Sequence, residues 1–412
     1  MDEFLGQPAQ VHSTGTPGAM AALERLESMI DSLGHTTQRI ETTWPDDAIT
    51  WYDTHRSAWV PDLWADGQAH RLVNLLVSVQ GSEADLAPLW VASHHDSCRF
   101  GPGAGDAAMP CMAMVEMLRV LAQSPPRRTV HFWFTDGEEY GLLGAKSIAR
   151  LDPLPTARPA FVINMDARGN RGPAVMFETG PNNGIRTREA LDGLAFPQVT
   201  SSLAVTVYRM LPNATDFDVW NGEMGIPGFN FALIGGANHY HQPSDTPERV
   251  SDRTLQHYGN HLHSLIELLD APESDTWLEM ESKQAQPDTV FFDVLGLGVV
   301  CGSERTFWIG SGVSIFLCVL PILKWNRRTR SRSAGVLRIV YRWSCFGMSV
   351  MSAIVFGLAF QWVLSWAPQA SQKYSPYDQE LGLLSFLAGL LLSMLVARSL
   401  SAKLLHGHGT LM

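Results

Sequence analysis

Four apolar, strand-like runs alternate with helical segments between about residues 72 and 269, and each delivers a histidine or an acid at or just past its end. The runs are Leu89–Ala92, Thr129–Phe134, Phe161–Met165 and Phe229–Ile234. This alternation marks an α/β domain, a mostly parallel mixed sheet covered by helices. Such sheets bind ligands in the crevice beyond the carboxyl ends of their strands. His94, Glu138, Glu139, Asp166 and His241 all follow such ends, a placement that unrelated solvated loops would not share.

The residue types then suggest a chemistry. Glu138 and Glu139 sit side by side in the stretch Thr135–Gly144, where two carboxylates repel each other unless a cation is near. One can ligate a metal while its neighbour takes the proton from a metal-bound water; a solvated Gly-Glu-Glu turn is the plain alternative. Ser93–Ser97 supplies His-x-Asp, an imidazole with a carboxylate two residues on to hold its second nitrogen, a pattern that also occurs by chance on surfaces. Asp106 leaves the glycine-rich turn Gly101–Gly105 just before an apolar helix expected over 107–123, and it reads equally as the N-cap of that helix. Two histidines and three carboxylates, one able to bridge, fit a pair of divalent ions, and zinc is the usual choice for mixed nitrogen and oxygen donors.

In order, His-x-Asp, Gly-Ala-x-Asp, Gly-Glu-Glu-x-Gly-Leu-x-Gly, Asn-x-Asp and Tyr-His run from about residue 90 to 250. This set resembles the co-catalytic zinc peptidases of metallopeptidase family 28, which include leucyl aminopeptidases, aminopeptidase Y, glutamate carboxypeptidases and, as a divergent branch, glutaminyl cyclases. The resemblance implies a zinc exopeptidase acting on peptide substrates, in direction an aminopeptidase, with two zinc ions. It implies that His94, Asp106 and Asp166 hold one ion, with Asp106 bridging, and that Glu139 and His241 complete the other. Glu138 would be the general base and Asp96 would orient His94. Tyr240 would offer its hydroxyl to the oxyanion, its alternative being a packing aromatic, and Asp216 in Thr215–Phe217 would line the substrate site.

The chain departs from the family where a second acid usually follows the bridge, since that position is Ala107. His95 and His239 flank proposed ligands and compete for their roles. Cys98 and Cys111 are too isolated to suggest a thiolate site, which leaves Cys98 as an ordinary small core residue. Asp245, in Asp-Thr-Pro-Glu, reads as a turn residue leading into a helix over 251–269. There is no Gly-x-Ser-x-Gly elbow and no local cysteine-peptidase signature, which disfavours serine or cysteine catalysis. Two rivals remain, a glutaminyl-cyclase-like acyltransferase needing one zinc and a catalytically inactive receptor or scaffold on the same fold. The presence of every ligand for two ions speaks against both.

Charge divides the chain. Residues 291–412 carry 11 Lys/Arg against 4 Asp/Glu, which leaves −18 for residues 1–290 within the net −11. So acidic a first part is no nucleic-acid binder. The remainder holds three uncharged apolar spans, 306–323, 343–366 and 381–397, of 18, 24 and 17 residues, close to the ~20 needed to cross a bilayer. A buried helical hairpin is the alternative. The expected division is a di-zinc peptidase domain over 1–285 and a membrane region over 286–412, embedded in the lipid bilayer.

Between the first two spans, residues 324–342 hold seven basic residues and no acid, the mark of a cytoplasmic loop. The catalytic domain is then expected outside the cytoplasm or in a lumen. The amino end begins with an amphipathic helix expected from Thr16 to Gly34, carrying Met20, Leu23, Leu26, Ile30 and Leu33 at helical spacing. No signal-like segment precedes it, whereas membrane-attached vacuolar and endoplasmic-reticulum relatives carry an apolar segment there. The expectation is that the chain is truncated or mis-started, the alternative being that the charge rule fails. Five cysteines, three of them in or beside the membrane region, do not fix the redox compartment.

Overall fold

A computed structural model describes residues 1–44, 71–181, 184–194, 199, 201–209, 213–278, 288–293, 298–307 and 309. The chain divides into two compact units, Met1–Phe307 and Trp308–Met412, and all described residues but Ile309 lie in the first. The expected spans therefore fall outside the described residues, save for 306, 307 and 309. Among the described residues, no helix is long and apolar enough to cross a membrane.

The first unit is built on a seven-stranded sheet of β1 (Thr37–Thr43), β2 (Arg71–Val79), β3 (Leu89–His94), β4 (Val130–Thr135), β5 (Phe161–Ala167), β6 (Arg171–Thr179) and β7 (Gly228–Gly235), in the order β1-β2-β4-β3-β5-β7-β6. β3 pairs in parallel with β4 and β5, and β5 with β7, while the other three pairings are antiparallel. β2 and β6 thus run against the other five strands. The expected mixed, mostly parallel sheet is what the chain forms.

Strands β3, β4 and β5 are buried along their whole length. They read as unbroken apolar runs because helices and loops cover both faces. Side chains alternate between the two faces. Leu89, Val91, Phe132 and Phe134 join a core layer with α1 (Pro17–Ser32), α2 (Met109–Gln123) and a long helix near the carboxyl end of the unit, Asp252–Asp270. Trp90, Ala92 and Trp133 join a smaller layer with α3 (Leu143–Ala149) and Trp220. There Trp90 meets Trp133 and Trp220 edge to face, at 5.5 Å each.

Local sequence sets the first helix. Thr16 caps it by accepting the Ala19 N–H at 3.2 Å, and Pro17 opens it. Ala19, Ala22, Leu23, Leu26 and Ile30 form its buried stripe. A second sheet, the hairpin of β8 (Thr289–Asp293) and β9 (Val299–Ser303), is tied to the unit. Thr289 Oγ1 donates to Gly184 O at 2.7 Å, and Phe291 N–H to Ser202 Oγ at 2.9 Å.

Candidate metal centre

β3 ends on His94, which is 1% exposed. Its Nδ1 lies 3.0 Å from the Asp96 carbonyl and 3.4 Å from the Asp96 carboxylate. A ring that donates Nδ1–H to that carbonyl keeps the Nε2 lone pair for a cation. Nε2 faces Asp106 Oδ1 at 3.2 Å and Asp166 Oδ1 at 3.5 Å. Asp166 belongs to the last turn of β5 itself, not to the loop after it.

Asp106 reaches this point because its loop is glycine-rich. A Cβ on Gly105 would stand 2.3 Å from the Gly169 carbonyl, so only glycine lets the loop approach the β5–β6 turn. The peptide between Asp106 and Ala107 is cis. The N-cap alternative does not describe Asp106, because α2 begins at Met109 with Ala108 before it and no side-chain cap. Its carboxylate faces two histidines instead. While Oδ1 points to His94, Oδ2 lies 3.3 Å from His241 Nε2.

A second cluster forms on that other side. Gly137, at φ 73°, turns the chain after β4, and the N–H groups of Glu138 and Glu139 point at the Asp96 carboxylate at 3.2 and 3.4 Å. Asp96 thus holds His94 chiefly through its carbonyl and the Glu138-Glu139 turn through its side chain. Glu139 Oε2 comes within 2.7 Å of His241 Nε2. His241 sits in the left-handed region at φ 54°, unusual for a non-glycine residue. Its ring stacks on Tyr240 at 3.7 Å, and the Arg168 guanidinium covers Tyr240 at 5.1 Å.

Donor atoms of His94, Asp106 and Asp166 lie within 4.8 Å of one another, as do those of Cys98, Glu139 and His241. Cys98 is buried, as expected of a small core residue, and its thiol stands beside Glu139 and His241. Glu138 belongs to neither group.

The electrostatics are those of crowded, buried acids. Burial and the Asp106 carboxylate push Glu139 up to about 7, and burial together with Asp166 raises Glu138 well above the ordinary range. Burial also raises Asp166. Burial opposes the charged form of Asp106 too, but His241 and His94 hold it far below the usual carboxylate range. Burial would lower His241, yet Glu139 and Asp106 raise it to about 10. Glu139 Oε1 is buried and makes no hydrogen bond, while Asp106 Oδ2 and His241 Nε2 are buried against each other at 3.3 Å. Two imidazoles, oxygen donors and an orphaned acceptor aimed at common points fit divalent metal ions.

The other sequence candidates divide. Asp216 is buried, accepts Thr135 Oγ1 at 2.5 Å and is pushed to about 7 by burial. His95 turns away from both clusters, with Nε2 on the Val73 carbonyl at 3.0 Å. His239 pairs its Nδ1 with Ser244 Oγ at 2.8 Å. Three supports carried no sequence signal. Thr14 Oγ1 lies 2.8 Å from Asp136 and 3.2 Å from Asp96, and Asp136 also accepts the Val73 N–H at 2.9 Å. Asp245, more than a turn residue, accepts the N–H groups of Gly105 at 3.0 Å and Asp106 at 3.2 Å.

The chain is 30% identical over 271 residues to endoplasmic reticulum metallopeptidase 1 of Mus musculus, covering 65% of this chain and 30% of that protein. It is 27% identical over 268 residues to the vacuolar membrane protease of Lachancea thermotolerans, covering 63% and 27%. The chain thus spans about 30% of the length of these relatives. A solved structure, the glutaminyl cyclase of Tannerella forsythia, aligns at TM-score 0.48 and 16% identity over 62% of this chain and 92% of that one. Residues 74–266, a little under half of the chain, match the sequence profile of Peptidase family M28.

Proposed function

We propose that this chain is a zinc-dependent exopeptidase, an aminopeptidase in direction, with two zinc ions. The observation that carries the reading is the posture of Asp106, whose two oxygens face two separate donor groups, while Glu138 stands beside both and belongs to neither. His94, Asp166 and Asp106 would hold one ion, and Asp106, Glu139 and His241 the other. When bound, the pair would polarise the scissile carbonyl and acidify a bound water.

The chain's own residues do the rest. Glu138, its carboxylate kept basic by burial and by Asp166, takes the proton of the attacking water and returns it to the leaving amine. Asp96 fixes both partners of that exchange, the His94 ring through its carbonyl and the backbone of Glu138 through its carboxylate. Tyr240, held between His241 and Arg168, presents its hydroxyl to the oxyanion. The acids Asp96, Asp106, Glu138, Glu139, Asp166 and Asp216 outweigh two dications, which favours a cationic α-ammonium end of the peptide over a carboxylate end.

Glu138→Gln tests the assignment. The variant should keep its zinc and lose on the order of 10²–10⁴ in rate; loss of zinc together with activity would make Glu138 a ligand instead. A panel of aminoacyl and carboxy-terminal dipeptide substrates reads the direction of cleavage.

The membrane reading belongs to the same proposal. The peptidase domain, expected over 1–285 and extended by the β8–β9 hairpin, would lie outside the cytoplasm or in a lumen, and the rest of 286–412 would form the membrane region with spans 306–323, 343–366 and 381–397. It is supported by the apolar spans, the basic loop between the first two, and relatives named for endoplasmic-reticulum and vacuolar membranes.

A further inference from the structure

We propose that Cys98 is a further metal ligand, its thiolate joining Glu139 and His241 in holding the second ion; the inference rests on the two-metal reading above. Sγ of Cys98 lies within 4.8 Å of donor atoms of both residues. Bonds of about 2.0–2.3 Å put tetrahedral donors roughly 3.5 Å apart, so small side-chain adjustments around a cation bring all three into contact with it. The cysteine does not stand alone as evidence. The Glu139 side chain is 4% exposed and its Oε1 makes no hydrogen bond. Glu139 and His241, whose Oε2 and Nε2 meet at 2.7 Å, are the residues whose donor atoms group with the thiol.

The backbone keeps that thiol in place. Cys98 follows Ser97, which is locked to the amino-terminal segment by Ser97 N–H on the His12 carbonyl at 3.3 Å and His12 N–H on Ser97 Oγ at 3.0 Å. Cys98 is buried and in no disulfide. Cys111, also buried, is already engaged, its Sγ donating to the His94 carbonyl at 3.1 Å, and it joins neither donor group.

Binding requires the thiol to lose its proton to the field of the cation. Burial and the Glu139 carboxylate keep the thiol protonated, while the N–H groups of Phe100 and Gly101 act in the opposite sense. A dication between the carboxylates and the sulfur reverses the dominant effect. The S–H bond breaks, an S–metal bond forms and one proton leaves to water, with no change of oxidation state.

The two ions then differ in kind. Asp106, Glu139, His241 and Cys98 make a closed set of four protein donors, whereas His94, Asp106 and Asp166 make three and leave a position open. The sulfur-containing set should hold its ion more tightly and prefer zinc or cobalt over magnesium or manganese. The open set is where water and substrate enter.

The test is cobalt(II) titration of the detergent-solubilised full chain after metal removal. Wild type should show visible d–d bands from bound cobalt and a near-ultraviolet sulfur-to-cobalt charge-transfer band. Cys98→Ser and Cys98→Ala should both lose the second band and keep the first, and zinc affinity at one position should fall at least on the order of tenfold. Cys111→Ser should keep the charge-transfer band. Cobalt bound without that band in wild type, or a band that survives in both Cys98 variants, overturns the proposal and leaves the two-metal reading intact. Failure to bind cobalt at all overturns both. Near-ultraviolet circular dichroism of the metal-free variants guards against misfolding, and the alanine variant keeps the comparison valid if serine distorts the turn.

Discussion

Asp106 faces His94 of one donor group and His241 of the other, and it makes the sharpest forecast at this scale. Asp106→Asn should weaken the two ions together, by about 10–100-fold each, whereas Glu139→Gln should weaken one. Zinc titration of the two metal-free variants distinguishes these outcomes; loss of a single ion from Asp106→Asn would remove the bridge. His94, Glu138, Glu139, Asp166 and His241 were legible in the sequence because each sits in a short motif beside a strand end. Thr14, Asp136, Asp245 and the place of Cys98 were not. The hydroxyl of Thr14 meets Asp96 across 82 positions of chain, and Asp245 meets Gly105 across 140. No local pattern encodes a partner so distant, and nothing around Cys98 in the chain shows that Glu139 and His241 fold up against it. Asp216 is a different case, since its motif pointed to a substrate contact while its carboxylate is spent partly on Thr135.

Elements place those residues by bringing turns together. The loop before α2 and the segment 241–245 come from opposite ends of the domain, and Asp245 binds one to the other. Its carboxylate receives Gly105 and Asp106 N–H, and its carbonyl receives the Ala104 N–H at 3.1 Å. Replacing the acceptor pair with an amide, as in Asp245→Asn, turns an N–H₂ group toward backbone donors. Metal affinity should fall on the order of 10–100-fold with native far-ultraviolet circular dichroism. Unchanged affinity would return Asp245 to the turn role its sequence suggests. The central strands and the three helices expected from the sequence were readable within a residue or two, the last being Asp252–Asp270 against an expected 251–269, whereas α3 was not expected. The edge strands were not. β1 is Thr-Gln-Arg-Ile-Glu-Thr-Thr, polar and half-exposed, and β6 opens on Arg-Gly-Pro. Edges lack the two-sided burial that makes β3–β5 conspicuous.

For the whole molecule, the basic loop at 324–342 resists passage through a bilayer, and one apolar span separates it from the peptidase unit. With a signal anchor fused ahead of residue 1, reporter fusions at Lys283 and Thr329 should therefore report opposite sides of the membrane, and finding both in the cytoplasm even then would refute the topology. The strand order has a different consequence, for biosynthesis. β7 lies between β5 and β6 although it follows both in the chain, so a ribosome that has released residues up to about 227 has released β6 without its neighbour and β5 with one edge bare. That nascent chain carries an open seam where unpaired strands can capture other chains. Because His241 and Asp245 follow β7, the candidate metal centre can be completed only after the strand that fills this seam has been made.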